Sequence, residues 1–413
     1  MIKKMIFFLV FSIMSLAQQV ELKSVERIIT TDKEKSIITI SQTYNEKTKK
    51  LEVLYIEKGL NPYTSKTFIQ YDKDGKKELS NEEYRYNPST KKWERDNKRV
   101  TTYKNNKEIV RTYNAKANKW TEYKKYEDEK TDNSNTSITY AFKDKKWTPL
   151  SKTHILLNKN KENTLIEDYT WNKNNQKWDL EAKTVYTYNQ EGKLEEIVGY
   201  KKENNWIADQ KLKYYTDDKG NQVYSNLFFQ NGKWIEQDRT VSEEDKLNNK
   251  KISVTQKLNQ ETKKLENYYR SIETYKNDMI EQELVYFWDK DKKDWKKSNE
   301  QNYFYNENKK LIRKQDFLGD DKGVQFTYNF DKNGNNIEIL LEHLNSQTKL
   351  WGAHEKIEYL YDLSIMKDKV LDRANINDEN EISVNLILEK KYYLYDGKKW
   401  ILTEKTRYLY DKK

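Results

Sequence analysis

The sequence contains no cysteine, and only 3 prolines and 11 glycines among its 413 residues. Without cysteine there can be no disulfide, no thiolate ligand for a metal, no cysteine nucleophile and no lipid attached through an N-terminal cysteine. The shortage of proline and glycine is typical of long regular elements rather than of a linker-rich chain. The sequence also lacks a P-loop, a GxSxG motif and a GxGxxG motif, so it carries no signature of phosphate binding, serine hydrolysis or dinucleotide binding.

Aliphatic side chains are scarce as well. Leu, Ile, Val and Phe together form about a fifth of the chain, a level at which disorder is common. Charged residues make up 35% and the mean hydropathy is −1.15. Aromatic residues, however, reach 13%, with 32 Tyr and 11 Trp. Because disordered chains are poor in aromatics, we expect a folded chain that uses rings in place of an aliphatic core.

The first 17 residues have the three parts of a signal peptide. Lys3 and Lys4 form a basic start, residues 5–14 are almost continuously apolar, and Ser15 and Ala17 stand at the −3 and −1 positions of a cleavage site. The apolar run is shorter than the about 20 residues that a membrane-spanning helix needs. We therefore predict cleavage after Ala17 and export to the periplasm, the outer surface or the extracellular space.

Tryptophan recurs at a nearly constant interval, which indicates a repeat architecture. The repeat tryptophans are Trp93, Trp120, Trp147, Trp178, Trp206, Trp234, Trp295 and Trp351. The first six are separated by 27, 27, 31, 28 and 28 residues, and the last two by 56, which is two periods of 28. Leu265 takes the position expected after Trp234. Asn, Asp, Lys and Gly cluster before these positions, as in NPSTKKW and QNGKW, and such clusters form turns.

A second turn falls half a period away and follows an aromatic-x-aromatic pair, as in YTYNQEGK from Tyr186 to Lys193 and YFYNENKK from Tyr303 to Lys310. Between the turns the side chains alternate in character, with the period of a β-strand. Short connections join antiparallel neighbours. We therefore predict an all-β fold: an elongated antiparallel β-meander, a solenoid-like array of two-stranded repeats of about 28 residues each.

This interpretation divides the chain into four parts. They are a signal peptide at 1–17, N-terminal capping strands at 18–50, tandem β-hairpin repeats at 51–360, and irregular C-terminal repeats with a cap at 361–413. The spacing widens to 42 residues between Leu51 and Trp93 and to 49 between Trp351 and Trp400. Atypical terminal repeats are expected in an array, because they cover its ends.

The repeat aromatics have two interpretations. In the structural one, Tyr and Trp pair across neighbouring strands, each pair contributing roughly 0.2–1 kcal/mol, and lysine stems lie across the rings. In the functional one, the rings of the eight repeat tryptophans form an exposed row of regular pitch that stacks on sugars or other planar ligands. The sequence does not choose between them, because it does not show which face of the sheet is covered.

The net charge is +10, and it falls to +8 when Lys3 and Lys4 leave with the signal peptide. Lysine dominates over arginine and is interleaved with 67 acidic residues instead of forming a patch. Arginine is the residue that recognises phosphate in a bidentate manner. We therefore expect a solvated charged face, with weak polyanion binding as the alternative.

Candidates for catalysis and metal binding are few. His154, His343 and His354 belong to no HExxH or HxH arrangement, so we interpret them as isolated surface or packing residues. The DxDG text, as in YDKDGKK from Tyr71 to Lys77, lacks the full calcium-loop pattern and suits a turn better. No pair of carboxylates stands out as a glycosidase pair. We therefore predict no catalytic residues, no cofactor and no metal.

The aromatic-x-Tyr-Asp/Asn-x-x-Gly turn, alternating with a lysine–tryptophan turn, resembles the repeats of secreted proteins of Bacteroidota. It is also distantly similar to the hairpins of YD-repeat (RHS-type) proteins. The resemblance spans approximately residues 36–413 and implies an exported array of β-hairpins. Full RHS proteins wrap a much longer β-spiral around a toxin domain, and many of the Bacteroidota proteins end in a type IX sorting domain; neither feature is seen here.

The export signal, the periodic aromatics and the missing catalytic groups lead to one functional prediction. We expect a non-enzymatic exported protein that binds glycans, other cell-surface polymers or proteins. A purely structural surface or spacer protein, in which every ring is core material, is the alternative.

Overall fold

The computed structural model describes residues 20–30, 35–59, 62–203, 205–319, 321–371 and 383–412. Within them the chain is an antiparallel β-meander, and a single 3-10 turn at Lys367–Lys369 is the one helical element. The predicted all-β meander of hairpins is therefore confirmed. The signal peptide predicted at 1–17 lies outside the described residues.

The strands are numbered in chain order. The first fourteen are β1 (Val20–Thr30), β2 (Lys35–Asn45), β3 (Lys50–Lys58), β4 (Tyr63–Tyr71), β5 (Glu78–Asn87), β6 (Lys92–Lys104), β7 (Lys107–Lys116), β8 (Lys119–Lys130), β9 (Ser134–Lys143), β10 (Lys146–Leu157), β11 (Asn163–Asn172), β12 (Lys177–Tyr188), β13 (Leu194–Lys202) and β14 (Trp206–Thr216). The remaining strands are β15 (Gln222–Gln230), β16 (Lys233–Asp245), β17 (Lys250–Leu258), β18 (Leu265–Lys276), β19 (Met279–Asp289), β20 (Asp294–Tyr305), β21 (Leu311–Leu318), β22 (Lys322–Phe330), β23 (Asn336–Leu344), β24 (Trp351–Met366), β25 (Val370–Leu371), β26 (Asn385–Tyr395) and β27 (Trp400–Lys412).

The sheet closes on itself, because β1 pairs with β2 on one side and antiparallel with β27 on the other. Twenty-six strands form this ring, and the two-residue β25 lies parallel to the start of β1. The prediction of an open, solenoid-like array is therefore wrong. The repeat specifies each hairpin, whereas closure depends on the summed twist of many strands and on the match between the first and the last.

The seam between β1 and β27 is stabilised by ion pairs and by apolar packing. Lys23 Nζ lies 2.9 Å from Asp411 Oδ2, and Arg27 Nη2 lies 2.7 Å from Glu404 Oε2. Next to these exposed ion pairs lies a cluster of buried apolar residues, formed by Leu22, Val25, Tyr359, Tyr361, Ile387 and Tyr408. The seam therefore combines complementary charge with apolar packing.

Away from the seam the sheet is mainly a single layer. The chain exposes 28383 Å², whereas a compact monomer of 50.1 kDa would expose about 17,000 Å². The element pairs in extensive contact are neighbours or next neighbours in the sheet. Among the described strands no second layer covers either face, so stability there must come from contacts between side chains on adjacent strands.

The second type of turn, after the aromatic-x-aromatic pair, is anchored by tyrosine hydroxyls. The hydroxyls of Tyr103, Tyr188 and Tyr361 each donate to a backbone carbonyl 25 residues earlier, at 3.3, 2.8 and 2.7 Å. Within the DxDG turn, Asp72 Oδ1 accepts the backbone N–H of Lys76 at 2.9 Å. This hydrogen bond lowers the pKa of Asp72, and it confirms that the motif serves as a turn.

Candidate binding surfaces at the tryptophan end

The repeat tryptophans lie at the start of alternate strands from β6 to β16, and of β20 and β24, directly after the lysine-rich turn. They therefore come together at one end of the sheet. We call the face that carries their rings the ladder face and the opposite face the bulge face. Together with Leu265 and Trp400, the eight repeat tryptophans give ten repeat positions. In nine of these ten cases, the residue five positions later is a cation. The nine are Lys98, Lys125, Lys152, Lys183, Lys211, Arg239, Arg270, Lys356 and Lys405; Glu300 is the exception.

Most of these cations lie against the tryptophan ring of the next repeat. The Nζ-to-centroid distances are 6.0 Å for Lys98 and Trp120, 5.6 Å for Lys125 and Trp147, 5.6 Å for Lys152 and Trp178, 5.0 Å for Lys183 and Trp206, 4.6 Å for Lys211 and Trp234, and 5.2 Å for Lys356 and Trp400. Lys66 lies at 4.5 Å from Trp93 in the same manner. The expected contact of lysine with the rings is thus confirmed.

A tyrosine and a glutamate complete the unit. Lys125 Nζ lies 3.7 Å from the ring centre of Tyr140 and 2.6 Å from Glu127 Oε1, and the Tyr140 hydroxyl donates to Glu127 at 2.9 Å. Burial and this hydrogen bond raise the pKa of Tyr140 to about 12. Burial opposes ionisation of Glu127, but hydrogen bonds from Lys125 and Tyr140 outweigh it and lower its pKa. Lys125 is therefore held between aromatic rings and a carboxylate.

Seven of the eight repeat tryptophans also touch another aromatic ring. The partners, at centroid distances of 4.9 to 6.1 Å, are Tyr86 for Trp93, Tyr84 for Trp120, Phe142 for Trp147, Trp171 for Trp178, Phe229 for Trp234, Trp288 for Trp295 and Phe317 for Trp351. Their rings are half-buried, and Trp206 is the most exposed at 36%. The structural contacts of these rings are thus established, and ligand stacking on them stays a prediction.

A β-bulge, which was not predicted from the sequence, recurs three residues after each repeat position. In ten hairpins the register shifts there, which leaves an extra residue in the strand that bears the repeat position. The residues at these positions are Asp96, Tyr123, Leu150, Glu181, Asp209, Gln237, Tyr268, Ser298, His354 and Thr403. The position of the cation was a signal for the bulge. Because successive strand residues alternate between faces, a tryptophan and a cation five residues later share a face only if one extra residue lies between them.

The bulge residues point away from the ladder. Successive strand residues face opposite sides, so the residue after a tryptophan lies on the bulge face together with its cross-strand partner. Arg85 is such a partner and lies 2.9 Å from Asp96. Lys201 likewise lies 2.9 Å from Asp209, and Phe287 contacts Tyr268 at 6.1 Å between ring centres.

Exposed rings stand out on the bulge face. Tyr123 is 47% exposed, Tyr268 is 44% exposed, and Leu150 and Phe287 are exposed as well. Phe287 packs its edge against both Tyr268 and Tyr269, at 6.1 and 5.8 Å. None of the ten bulge residues is Lys or Arg. The row formed by the ten bulge residues therefore varies from repeat to repeat, whereas the cations and rings of the opposite ladder face recur.

Two of the histidines, which we interpreted as isolated surface or packing residues, contact each other. The rings of His343 and His354 lie 4.2 Å apart, because β23 and β24 are neighbours and the bulge at His354 turns its ring toward His343. His154 Nδ1 is within 2.9 Å of Thr136 Oγ1. Across the described ranges, no three His, Cys, Asp or Glu residues are grouped so that they could hold a metal ion.

The helical content also bears on membranes. In the part of the chain that the structure describes, no helix has the length and apolar character needed to cross a membrane.

No protein-family model and no curated protein matches this chain. Among solved structures, it is similar to a protein of unknown function from Bacteroides fragilis, with 14% identity, a TM-score of 0.26 and coverage of 29% of this chain and 91% of the other. It is also similar to a porin-like protein from Bacteroides uniformis, with 9% identity, a TM-score of 0.12 and coverage of 53% and 95%. An uncharacterised protein from Listeria monocytogenes shows 10% identity, a TM-score of 0.19 and coverage of 62% and 79%. Likenesses this low identify neither the fold nor the function of this chain.

Proposed function

We propose that this protein is exported and binds glycan polymers through its bulge face, without catalysing a reaction. The observation that supports this most is the division between the two faces. The ladder face repeats the same ring and cation, whereas the bulge face presents one side chain per repeat that differs along the row. In repeat proteins, uniform positions build the framework and variable exposed positions meet the partner, and bulges serve to re-aim side chains.

The chemistry of the row suits sugars. The apolar faces of sugar rings pack on aromatic rings, for which Tyr123 and Tyr268 are available, and sugar hydroxyls bond to carboxylates and amides such as Glu181 and Gln237. The row repeats every second strand, at a pitch of about 9.6 Å, so it suits an extended polymer. Because no bulge residue is cationic, the row gives a polyanion no specific attraction.

The test is retention of the chain starting at Gln18 on immobilised neutral polysaccharides, with heparin as a polyanion arm over a salt series. The Y123A/Y268A double variant removes two exposed rings of the bulge face. The Y86A/W206A double variant is the matched control, since Tyr86 and Trp206 are 37% and 36% exposed on the ladder face. We expect retention of the wild-type protein and the control on at least one neutral polymer, and at least a tenfold loss for Y123A/Y268A.

Two outcomes would contradict this assignment. Loss of retention in Y86A/W206A alone would move the site to the ladder face, where the tryptophan-stacking prediction places it. Retention only on heparin, abolished by moderate salt, would favour the weak polyanion alternative.

A purely structural role is the second candidate, and the closed ring favours it. A ring without a free sheet edge resists both unfolding from an end and pairing with other chains. No retention on any polymer, together with ordered self-assembly of the wild-type chain, would support this role instead.

Export is tested separately. We expect the mature protein to begin at Gln18 in N-terminal sequencing after expression in bacteria, and to be recovered outside the cytoplasm. Recovery of uncleaved protein in the cytoplasm would contradict the predicted signal peptide at 1–17.

A further inference from the structure

The ladder is interrupted between β14 and β18. We count a unit from the cation of one repeat to the tryptophan of the next. In the unit that begins at Lys211, Leu227 takes a position that is tyrosine in other units. Examples are Tyr140, seven residues before its tryptophan, and Tyr200, six residues before its tryptophan. In the next unit Leu265 replaces the tryptophan that Arg239 would otherwise contact. Gln256 takes the tyrosine position of that same unit, so three rings are missing from these two adjacent units of the ladder face.

A groove of about 570 Å³ lies at this interruption, which we call the ladder gap. Its lining includes Glu196, Lys213, Tyr215, Leu227, Glu236 and Arg239. The size falls in the range of about 300–1,000 Å³ that is usual for small-molecule sites. The sequence explains the groove, because a leucine side chain leaves empty the space that a tyrosine ring fills in most other units.

Polar groups in the ladder gap are already held in place. Arg239, without a ring to lie on, donates from Nε to Glu236 Oε1 at 2.8 Å and from Nη2 to Glu236 Oε2 at 2.5 Å. Ser225, only 2% exposed, donates to Glu236 Oε1 at 2.6 Å. Burial opposes ionisation of Glu236, but hydrogen bonds from Arg239 and Ser225 outweigh it and lower its pKa, so the carboxylate is charged at neutral pH.

The lining indicates the class of ligand. Three carboxylates, from Glu195, Glu196 and Glu236, face two cations, Lys213 and Arg239, so the groove has no excess of positive charge for an anion. Tyr215, 43% exposed, offers a ring beside these groups. Fixed donors and acceptors next to an aromatic ring match a neutral molecule that is rich in hydroxyl groups.

We propose that the ladder gap binds one or two units of a neutral sugar. The ligand class is that of the proposed function, on which this inference therefore rests in part. The site itself lies on the opposite face and uses none of the bulge residues, so either can fail without the other.

The L227Y variant tests the proposal by restoring the ring that most other units carry. We expect weak saccharide binding by the wild-type chain in ligand-observed NMR with glucose, galactose, mannose, N-acetylglucosamine and their β-linked disaccharides, with glucuronate as the charged comparison. In L227Y we expect at least a tenfold weaker signal. The fold should persist, because tyrosine is the usual residue at this position of the unit, and an unchanged urea midpoint would verify it.

Two further variants make the result decisive. R239K, which keeps the charge but loses the bidentate contact with Glu236, should weaken saccharide binding. It should leave intact the retention on neutral polymers that the Y123A/Y268A variant is expected to lose. Y169L, which removes a ladder tyrosine elsewhere, should leave saccharide binding in the ladder gap unchanged. Equal binding by the wild-type chain and L227Y, no binding of any saccharide at millimolar concentration, or binding of glucuronate alone would each overturn the proposal.

Discussion

The two faces of the same strands differ in how they use their side chains. On the ladder face, Lys152 touches Tyr169 at 3.7 Å and Trp178 at 5.6 Å, and similar triplets recur in other repeats. On the bulge face, the bulge residues differ in chemical type, as Asp96 and Tyr268 do, and they make few contacts in common. In a single-layer sheet neither face is buried by another layer, so the ladder takes the place of a core and leaves the other face free to vary. Structure and recognition are thus separated within each strand.

The bulge is what separates the faces, so deleting its extra residue should have the largest effect. Without Glu181, Lys183 would exchange faces relative to Trp178 and lose its contacts with Tyr200 and Trp206, at 4.9 and 5.0 Å. We expect the deletion to lower the free energy of unfolding by about 3 kcal/mol, measured by urea denaturation. The E181A substitution, which keeps the chain length, should change it by less than about 0.5 kcal/mol. Equal effects of the two changes would refute this role of the bulge.

Removing one ring from each face gives a direct comparison. W178A deletes a half-buried ring that packs on Trp171 at 5.1 Å and on Lys152. We expect a loss of about 2 kcal/mol, less than for a fully buried aromatic because the ring is only partly covered. Y123A removes a more exposed ring and should cost no more than about 0.5 kcal/mol. If urea midpoints moved equally, the ladder would not be the stabilising face.

The sequence predicted what is local and periodic. Tryptophan spacing and the clusters of Asn, Asp, Lys and Gly predicted the hairpins, since turn chemistry depends on a few adjacent residues. The aromatic content predicted cross-strand ring contacts in place of an aliphatic core. The DxDG text at Asp72 was correctly assigned to a turn, since its carboxylate accepts backbone N–H groups.

What the sequence did not predict depends on strands that are distant along the chain. Closure joins Lys23 to Asp411 across 388 residues, and no single repeat carries that information. The contact between the His343 and His354 rings needs both strand pairing and the bulge. The ladder gap was not predicted either, because the tryptophan spacing marks the repeat position of Leu265 but not the tyrosine position that Leu227 occupies. Aligning the units from the +5 cation would have shown both.

Alkaline pH should weaken the ladder. Burial and hydrogen bonds to Glu127 and Glu167 raise the pKa of Tyr140 and of Tyr169 from 10.0 to about 12. A raised pKa in the folded state means that the stabilisation is complete below pH 10 and is lost as the pH rises from about 10 to about 12, because the unfolded chain releases its protons first. We expect the urea midpoint to fall in this window, with a contribution from each tyrosine of about 1 kcal/mol after allowance for solvent screening.

The Y140F variant is the control for this pH dependence. It should show a smaller decrease between pH 10 and 12, since its ring stays in the ladder but cannot ionise. An unchanged profile in Y140F would mean that other groups cause the alkaline loss.

The smallest expected difference concerns the cations themselves. K152M keeps an apolar stem across Tyr169 and Trp178 but removes the charge over their rings, which should cost about 0.5–1 kcal/mol. K124M is the matched change on the bulge face, where Lys124 lies 5.3 Å from the centre of the exposed Tyr123 ring and solvent screens the attraction more strongly. We expect the urea midpoint of K124M to remain near the wild-type value. Equal losses in K124M and K152M would show that the cation–ring contacts stabilise both faces alike, and the ladder would then be defined by ring packing alone.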